Sequence, residues 1–286
     1  EKHCKEYDIR HFNLPFRSSY EIGSAIQIKN YCKQIGIDIL HMHSSRGHTI
    51  GVISSLLGNK TNLVLSRRVD FPIKSNWLSK WKYNYSKITK IICVSEKIKE
   101  VMLPFIQDKN RLVVAHSGID INRFKGSKNK GILHKEYCLE KEVKIVANIS
   151  ALADHKDYPT FINAVSEFKK INNEKVKFFI IGEGDLRSEI ETLIQAKELK
   201  EDIIMTGFRD DITSIFPELD VFLITSKEEG LGTTVLDAFA NKIPVIATAG
   251  GGIPEMVEHQ NTGLLYDIGD YKEIAKGVKL LLEDSA

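Results

Sequence analysis

The sequence predicts an α/β protein made of two domains, each built on a parallel sheet. Three observations lead there. Apolar runs of strand length alternate with stretches whose apolar residues recur at helical spacing, as where 176–181 precedes 186–198. Polar or glycine-bearing turns separate the two kinds of segment. The alternation also occurs twice, on either side of residues 122–141, which lose periodicity and carry the solvated run Phe124-Lys125-Gly126-Ser127-Lys128-Asn129-Lys130. Strands that alternate with helices pair in parallel, because each helix carries the chain back along the sheet. A length of 286 residues suits two domains. The expected division is residues 1–125 and 126–286, two Rossmann-like halves facing across a cleft.

Taken in order, residues 5–16 read as the tail of a β-unit. A helix over 19–35 follows from Ile22, Ala25, Ile26, Ile28, Tyr31 and Cys32, and Gly36 stops it. Residues 37–43 form a strand, 44–48 a polar loop, 49–57 a helix, 63–66 a buried strand and 67–75 a charged loop. Trp77, Trp81 and Tyr85 recur four apart and place one aromatic face on a helix over 77–85. That face packs inward or, with Lys80, Lys82 and Lys87 beside it, meets a membrane or an acceptor. Residues 91–94 form a strand, Ser95 caps a helix over 97–103, and 112–114 is a further strand. Beyond the hinge, strands are expected at 144–148, 176–181, 203–205, 221–224, 245–247 and 263–266. Helices are expected at 158–172, 186–198, 212–217, from Thr233 onward, and at 271–283.

Composition bounds the function. The chain is 42% hydrophobic and 27% charged, a soluble globular mixture. A net charge of +2 supplies no strong field for nucleic acid. No apolar run approaches the ~18 residues of a membrane span. Cys4, Cys32, Cys93 and Cys138 are widely spaced, with no C-x-x-C pair. They read as reduced thiols in a cytosolic protein, with a zinc or disulfide framework as the alternative. The opening Glu1-Lys2-His3-Cys4 is neither a signal peptide nor a start with methionine, which suggests a fragment or trimmed chain.

The densest chemistry lies in residues 225–248. A strand ends at Thr225-Ser226, an acidic turn broken by glycine follows (Glu228-Glu229-Gly230-Leu231-Gly232), and a helix begins near Thr233-Thr234. Ligands of parallel sheets bind at the carboxyl ends of strands. Glycines let backbone approach a ligand, and the free N–H groups of a helix start favour an anion. A carboxylate at the tip suits hydroxyls instead. The stretch therefore fits a ligand with both phosphates and hydroxyls. Elsewhere, His41 and His43 share a strand face, but no third ligand accompanies them, so no metal is expected. His48, in the expected polar loop, is a candidate to face the cleft.

An ordered series of segments resembles a known family. It comprises Val94-Ser95-Glu96, Ser117-Gly118-Ile119-Asp120 with Arg123-Phe124, Ile181-Gly182-Glu183-Gly184 with Leu186-Arg187, Thr206-Gly207-Phe208 and Asp220-Val221-Phe222. It continues through Glu229-Gly230-Leu231-Gly232, Asp237-Ala238, Gly251-Gly252-Ile253-Pro254-Glu255 and Thr262-Gly263-Leu264-Leu265. The series is similar to the retaining glycosyltransferases of family 4 (glycosyl transferases group 1), whose architecture is GT-B. It covers the chain from about Ile37 onward.

The resemblance implies a division of labour. Glu229 would hold hydroxyls of the donor sugar. Asp237, seven intervening residues later where the family motif has a second glutamate, would meet the nucleotide ribose. The backbone of Gly230, Leu231, Gly232, Thr233 and Thr234 would face sugar and diphosphate. Lys156 falls on a lysine that neutralises the diphosphate, while Ala151 stands where similar enzymes carry an arginine. His155 is a substitute cation or an exposed loop residue. Gly182 and Gly184 would line the loop below the nucleotide. Phe208 and Arg209 would lie near the base, with ordinary core the alternative for Phe208. Arg67-Arg68-Val69-Asp70 stands where similar enzymes often carry a histidine. Arg68 would then face the reacting sugar or the diphosphate, or else form a salt bridge with Asp70. His48, Arg67 and Asp70 make up the acceptor side. Glu229, Lys156 and Arg68 are the catalytic candidates.

The implied reaction is front-face transfer from a nucleotide sugar, a UDP-sugar first, to a hydroxyl of a polysaccharide or lipid-linked glycan precursor. The departing phosphate oxygen would help deprotonate the acceptor. No cofactor, metal or nucleic acid is expected. The location would be cytoplasmic, with peripheral contact at the inner face of the plasma membrane through residues 77–85 as a further expectation. Lys-, Ile- and Asn-rich composition points to a bacterial cell-surface pathway. Alternative readings are a non-catalytic nucleotide-sugar-binding remnant, a sugar-nucleotide epimerase and a phosphorylase. Similar enzymes begin with a strand and glycine-rich loop and end in a helix crossing back. Neither is found, so a truncated chain is expected.

Overall fold

A computed structural model describes residues 4, 7–14, 18, 20–73, 76–172 and 174–283. The parts of the sequence reading that fall on 1–3, 5–6, 15–17, 19, 74–75, 173 and 284–286 lie outside these. The chain forms two compact units. The first comprises Glu1–Arg68, Pro72–Val94 and Lys99–Ala115, and the second Val69–Phe71, Ser95–Ile98 and His116–Ala286.

The first unit holds a four-stranded parallel sheet in the order β1 (Ile39–Met42), β2 (Asn62–Arg67), β3 (Ile88–Cys93), β4 (Leu112–Val114). Helices Ile22–Ile35, Ser45–Leu56 and Trp77–Tyr83 accompany it. Leu63, Ile88, Ile91 and Ile50 are fully buried in its core. Gly36 ends the first helix in the left-handed conformation, at φ 69°, where a Cβ would be strained.

Three expectations change here. Residues 7–14 contain no strand. Residues 44–48 are not a loop, because the Ser44 side chain accepts the Gly47 N–H and starts the helix at Ser45. His48 thus lies inside that helix and is fully buried. The aromatic face of 77–85 does not pack inward: Trp77 is 77% and Trp81 42% exposed, whereas Tyr83 is buried. The helix ends at Tyr83, so Tyr85 falls outside it.

The second unit holds six parallel strands: β5 (Lys144–Ile149), β6 (Val176–Ile181), β7 (Ile203–Gly207), β8 (Val221–Ile224), β9 (Val245–Thr248) and β10 (Leu264–Tyr266). Their order is β10-β9-β8-β5-β6-β7. The strands read as unbroken apolar runs because both sheet faces are covered. Val146, Phe178, Ile180, Val221 and Leu223 enter one cluster, with Phe161 and Phe168 of helix Tyr158–Ile171 and Ile274 and Val278 of helix Tyr271–Glu283. Their neighbours Ala147, Phe179, Ile181, Phe222 and Ile224 enter the other, with Val235 and Ala238 of helix Thr233–Ala240.

The stretch expected to be solvated and irregular, 122–141, is partly built into this second cluster. Phe124 and Leu133 are buried there. A short helix, Ile132–Glu136, starts where the buried Glu218 carboxylate accepts the Leu133 and His134 N–H groups. Five helical residues are too few to show a period, so only the isolated Phe124 and Leu133 hinted at burial. Among the described residues no helix is long and apolar enough to cross a membrane.

Candidate functional site

The site grows from one feature of strand order in the second unit. From β5 the chain proceeds through β6 to β7 on one side, and β8, β9 and β10 lie on the other. The order therefore reverses between β5 and β8, which pair directly through Val146–Val221 and Ala147–Phe222. A parallel sheet opens a crevice beyond the carboxyl ends of its strands at such a switch point. The segment after β5 carries Lys156, and the segment after β8 carries Glu229.

These two residues meet. The Lys156 ammonium donates to Glu229 Oε1, and Ser226 Oγ donates to the same oxygen at 3.0 Å. The pair is largely buried. Its geometry is set from below by Thr225, fully buried at the end of β8. The Thr225 hydroxyl lies 3.1 Å from the Lys156 carbonyl and 3.2 Å from that of Asp157, and donates to them. The Lys227 N–H donates to the His155 carbonyl at 2.8 Å. The turn that bears Lys156 is thus tied to the strand end that leads to Glu229. Sequence reasoning named Lys156 and Glu229 but assigned no role to Thr225 or Ser226, which carry no spacing that marks them.

Glycines hold Glu229 from the other side. Gly251, at φ 56°, packs so close that a Cβ would fall 2.0 Å from the Glu229 carbonyl oxygen. The Gly252 N–H donates to that same carbonyl at 2.9 Å. Glu255, just beyond, accepts the Glu96 and Lys97 N–H groups at 2.8 and 2.9 Å and hydrogen-bonds His116 at 2.9 Å. Gly232 starts helix Thr233–Ala240 at φ 81° with no side-chain cap, and this end carries the partial positive charge of the helix. Gly230 and Leu231 lie in the turn just before it, with Leu231 buried, and Thr233 and Thr234 are the first two residues of the helix.

Asp237 is buried, and its carboxylate pairs with Arg123. Burial raises its carboxyl above the ordinary value, partly offset by Arg123. Arg123 comes from the 3-10 turn Ile121–Phe124 and lies 4.8 Å over the Phe124 ring. The sequence reading gave Asp237 the ribose alone. Arg123 was recognised as part of a motif, but its pairing with Asp237 was not.

Gly182 and Gly184 answer to the protein itself. Gly182 sits at φ 150°, with a Cβ position 2.0 Å from the Ser150 carbonyl oxygen, and the corresponding distance from Gly184 to Leu152 O is 2.4 Å. They let the segment after β6 lie against the segment after β5. Phe208 is 76% exposed just past β7, which overturns core as its alternative. The Arg209 guanidinium is engaged by Asp211 and by Glu136 at 2.7–2.9 Å, and these hydrogen bonds raise its pKa further.

The loop after β2 is divided. Arg67 Nη1 donates to the Tyr83 hydroxyl at 3.3 Å within the first unit. Arg68 is exposed and forms no ion pair with Asp70 among the described residues. Val69–Phe71 groups with the second unit, where Phe71 meets the His155 ring edge-on at 6.0 Å. Burial raises the Asp70 carboxyl, and the nearby Glu229 charge adds to the rise.

His48 is not placed as expected. Its Nε2–H donates to the Lys82 carbonyl at 3.3 Å, Tyr83 packs edge-on against it at 4.7 Å, and Nδ1 has no partner. Burial, then the Lys82 and Arg67 charges, lower its pKa to about 3. The neutral imidazole is thus packed in the interior of the first unit, where a loop position had been expected. The His41 and His43 rings lie 4.0 Å apart with their planes tilted by 40°, and His41 hydrogen-bonds Ser66 at 2.8 Å. No group of three or more metal-ligating side chains occurs among the described residues.

Known proteins match over nearly the whole chain. A family model described as glycosyl transferases group 1 matches residues 129–286, and one described as glycosyltransferase family 4 matches residues 3–123. The N-acetyl-alpha-D-glucosaminyl L-malate synthase of Bacillus anthracis is 24% identical over 274 residues, covering 93% of this chain and 70% of that protein. The UDP-Gal:alpha-D-GlcNAc-diphosphoundecaprenol alpha-1,3-galactosyltransferase of Escherichia coli is 23% identical over 278 residues, covering 92% and 71%. The crystal structure of Anabaena HepE in complex with UDP and glucose superposes with a TM-score of 0.84 at 18% identity, over 99% of this chain and 79% of that one. That likeness shows a shared fold.

Proposed function

The chain belongs to the glycosyl transferases group 1 family, and from that premise we propose that it is a retaining enzyme moving a sugar from a UDP-sugar to a hydroxyl of a glycan or lipid-linked acceptor. The observation that carries this reading is the Lys156–Glu229 pair at the β5/β8 switch point. Glu229 presents a carboxylate that two sugar hydroxyls can share, and Lys156 presents a cation beside it for the diphosphate. As the anomeric C–O bond breaks, negative charge builds on the leaving phosphate. Lys156 and the uncapped N–H groups of helix Thr233–Ala240 stabilise that charge. In this front-face mechanism the phosphate oxygen takes the acceptor proton, so the protein supplies orientation and electrostatics but no nucleophile. The Arg123–Asp237 pair stands at the helix that the ribose would approach. The action of the Escherichia coli relative on a diphosphoundecaprenol-linked sugar supports a lipid-linked acceptor. A cytoplasmic site of action follows from a nucleotide-sugar donor.

The test begins with a panel of nucleotide sugars ranked by thermal stabilisation of the protein. The best donor then enters a transfer assay with Glu229→Gln, which keeps an acceptor for Lys156 and removes the charge. Transfer should fall by at least ~100-fold, the scale of losing one preorganised group at a reacting centre. Circular dichroism should remain that of the parent. A variant that transfers sugar at the parental rate refutes the assignment.

A further inference from the structure

The first unit contains a cavity of about 430 Å³ lined by Tyr20, Thr49, Leu78, Ser79, Trp81 and Lys82 among others. Its walls come from helices Ser45–Leu56 and Trp77–Tyr83, which follow the carboxyl ends of β1 and β2. That is the edge of a parallel sheet where ligands bind. Lys82 is the unusual member. Its ammonium donates to Thr49 Oγ1 at 3.1 Å and lies 5.7 Å from the centroid of the Tyr83 ring. No carboxylate pairs with it among the described residues, and none of the residues lining the cavity is acidic. Burial and the neighbouring Arg67 charge both lower its pKa, so the positive charge there is uncompensated. A half-buried cation with only neutral partners is costly unless an anion completes the site. Beside the neutral polar Ser45, Thr49, Asn76 and Ser79, the wall carries apolar and aromatic surface: Tyr20 is 65%, Leu78 38% and Trp81 42% exposed. A purely ionic ligand would leave those surfaces in water.

We propose that this cavity binds the acceptor through a phosphate or diphosphate group on Lys82, with the attached apolar chain laid over Leu78, Trp81 and Tyr20. This deepens the transfer reading by naming the chemical class of the acceptor, and it rests on that reading. Two other basic or aromatic features lack this combination of an unpaired cation and apolar surface. Lys29, Lys33 and Lys60 line a second cavity, but Lys29 donates to the Leu57 carbonyl at a helix end, so a capping role accounts for that charge. Trp77, more exposed still, does not line the cavity.

The chain has two tryptophans, Trp77 and Trp81, and both lie on the helix that lines the cavity. Intrinsic fluorescence therefore reports this helix alone. The full chain is titrated with geranyl diphosphate, geraniol and inorganic pyrophosphate. Geranyl diphosphate should bind at least ~10-fold more tightly than either of the others, the scale of one charge-assisted contact combined with apolar burial. Lys82→Gln should lose that preference and Lys82→Arg should keep it. Ser79→Glu, which places a carboxylate three residues from Lys82 without emptying the interior, should also lose it. Geraniol binding as tightly as geranyl diphosphate overturns the anionic half. Pyrophosphate binding as tightly overturns the apolar half. A preference undiminished in both Lys82→Gln and Ser79→Glu overturns the site. Because binding is read without sugar transfer, failure here is distinct from failure of the donor assay.

Discussion

Lys156→Met removes one side of the central ion pair and puts the pairing argument at risk directly. The Lys156 and Glu229 side chains are 14% and 12% exposed. Deleting the ammonium leaves a nearly buried carboxylate with one remaining side-chain donor, Ser226 Oγ at 3.0 Å. Breaking one side of a buried pair costs about 3–5 kcal/mol. The surviving serine bond and the residual exposure place this case at the lower end, about 3 kcal/mol. Methionine retains most of the lysine stem, so cavity formation adds little. For a unit of this size the melting midpoint should drop by roughly 6–12 °C. Glu229→Gln alone should cost less, because the amide oxygen still accepts from Lys156. The double variant carries neither charge and should be more stable than the sum of the single losses by about 1.5–2 kcal/mol. Urea unfolding of the parent and the three variants, followed by circular dichroism at one pH, measures the cycle. A Lys156→Met cost below about 1 kcal/mol, or additivity within about 0.5 kcal/mol, would refute the view that the two residues form one unit.

Two further outcomes follow from buried features. His48 stays neutral in the folded state down to about pH 3, whereas an unfolded histidine takes up its proton near 6.5. The unfolded state therefore binds more protons below pH 6.5, and stability declines as pH falls. From pH 7 to pH 5 this amounts to about 2 kcal/mol. Urea unfolding at those two pH values should show this extra decline in the parent and its absence in His48→Gln; identical pH dependence would refute it. Gly182→Ala should cost at least about 2 kcal/mol, because the added Cβ meets backbone at 2.0 Å and φ is 150°. A melting midpoint within about 1 °C of the parent would contradict that.

Much of the fold was legible because its signals are local. Strands such as Val176–Ile181 and Val221–Ile224 are continuous apolar runs with turn residues at both ends, and such runs mark strands covered on both faces. Helices such as Tyr158–Ile171 and Tyr271–Glu283 show one apolar stripe each. Legibility failed where a side chain outside the periodic pattern decided the outcome. Ser44 capped a helix across an expected loop and so carried His48 into the core. Glu218, 85 residues from Leu133, capped a helix in an expected linker. Trp77 and Trp81 stood on one predicted face, but Tyr83 was the residue that packed. Aromatic spacing alone does not say which side of a short helix meets the sheet.

The candidate site divides in the same way. The Glu229 loop was visible as a glycine-broken acidic turn between an apolar strand and a helix, a pattern contained in a few consecutive residues. That pattern, together with the alternation of strands and helices, is what the amino-acid order determined by itself. The pairings were decided elsewhere. Lys156 and Glu229 are 73 residues apart and Arg123 and Asp237 are 114 apart. No local period links either pair. They meet because β5 lies beside β8 and because Phe124 anchors its turn in the second core. Strand order and core packing are settled by which apolar surfaces bury one another across the whole unit, and only the tertiary structure carries that information.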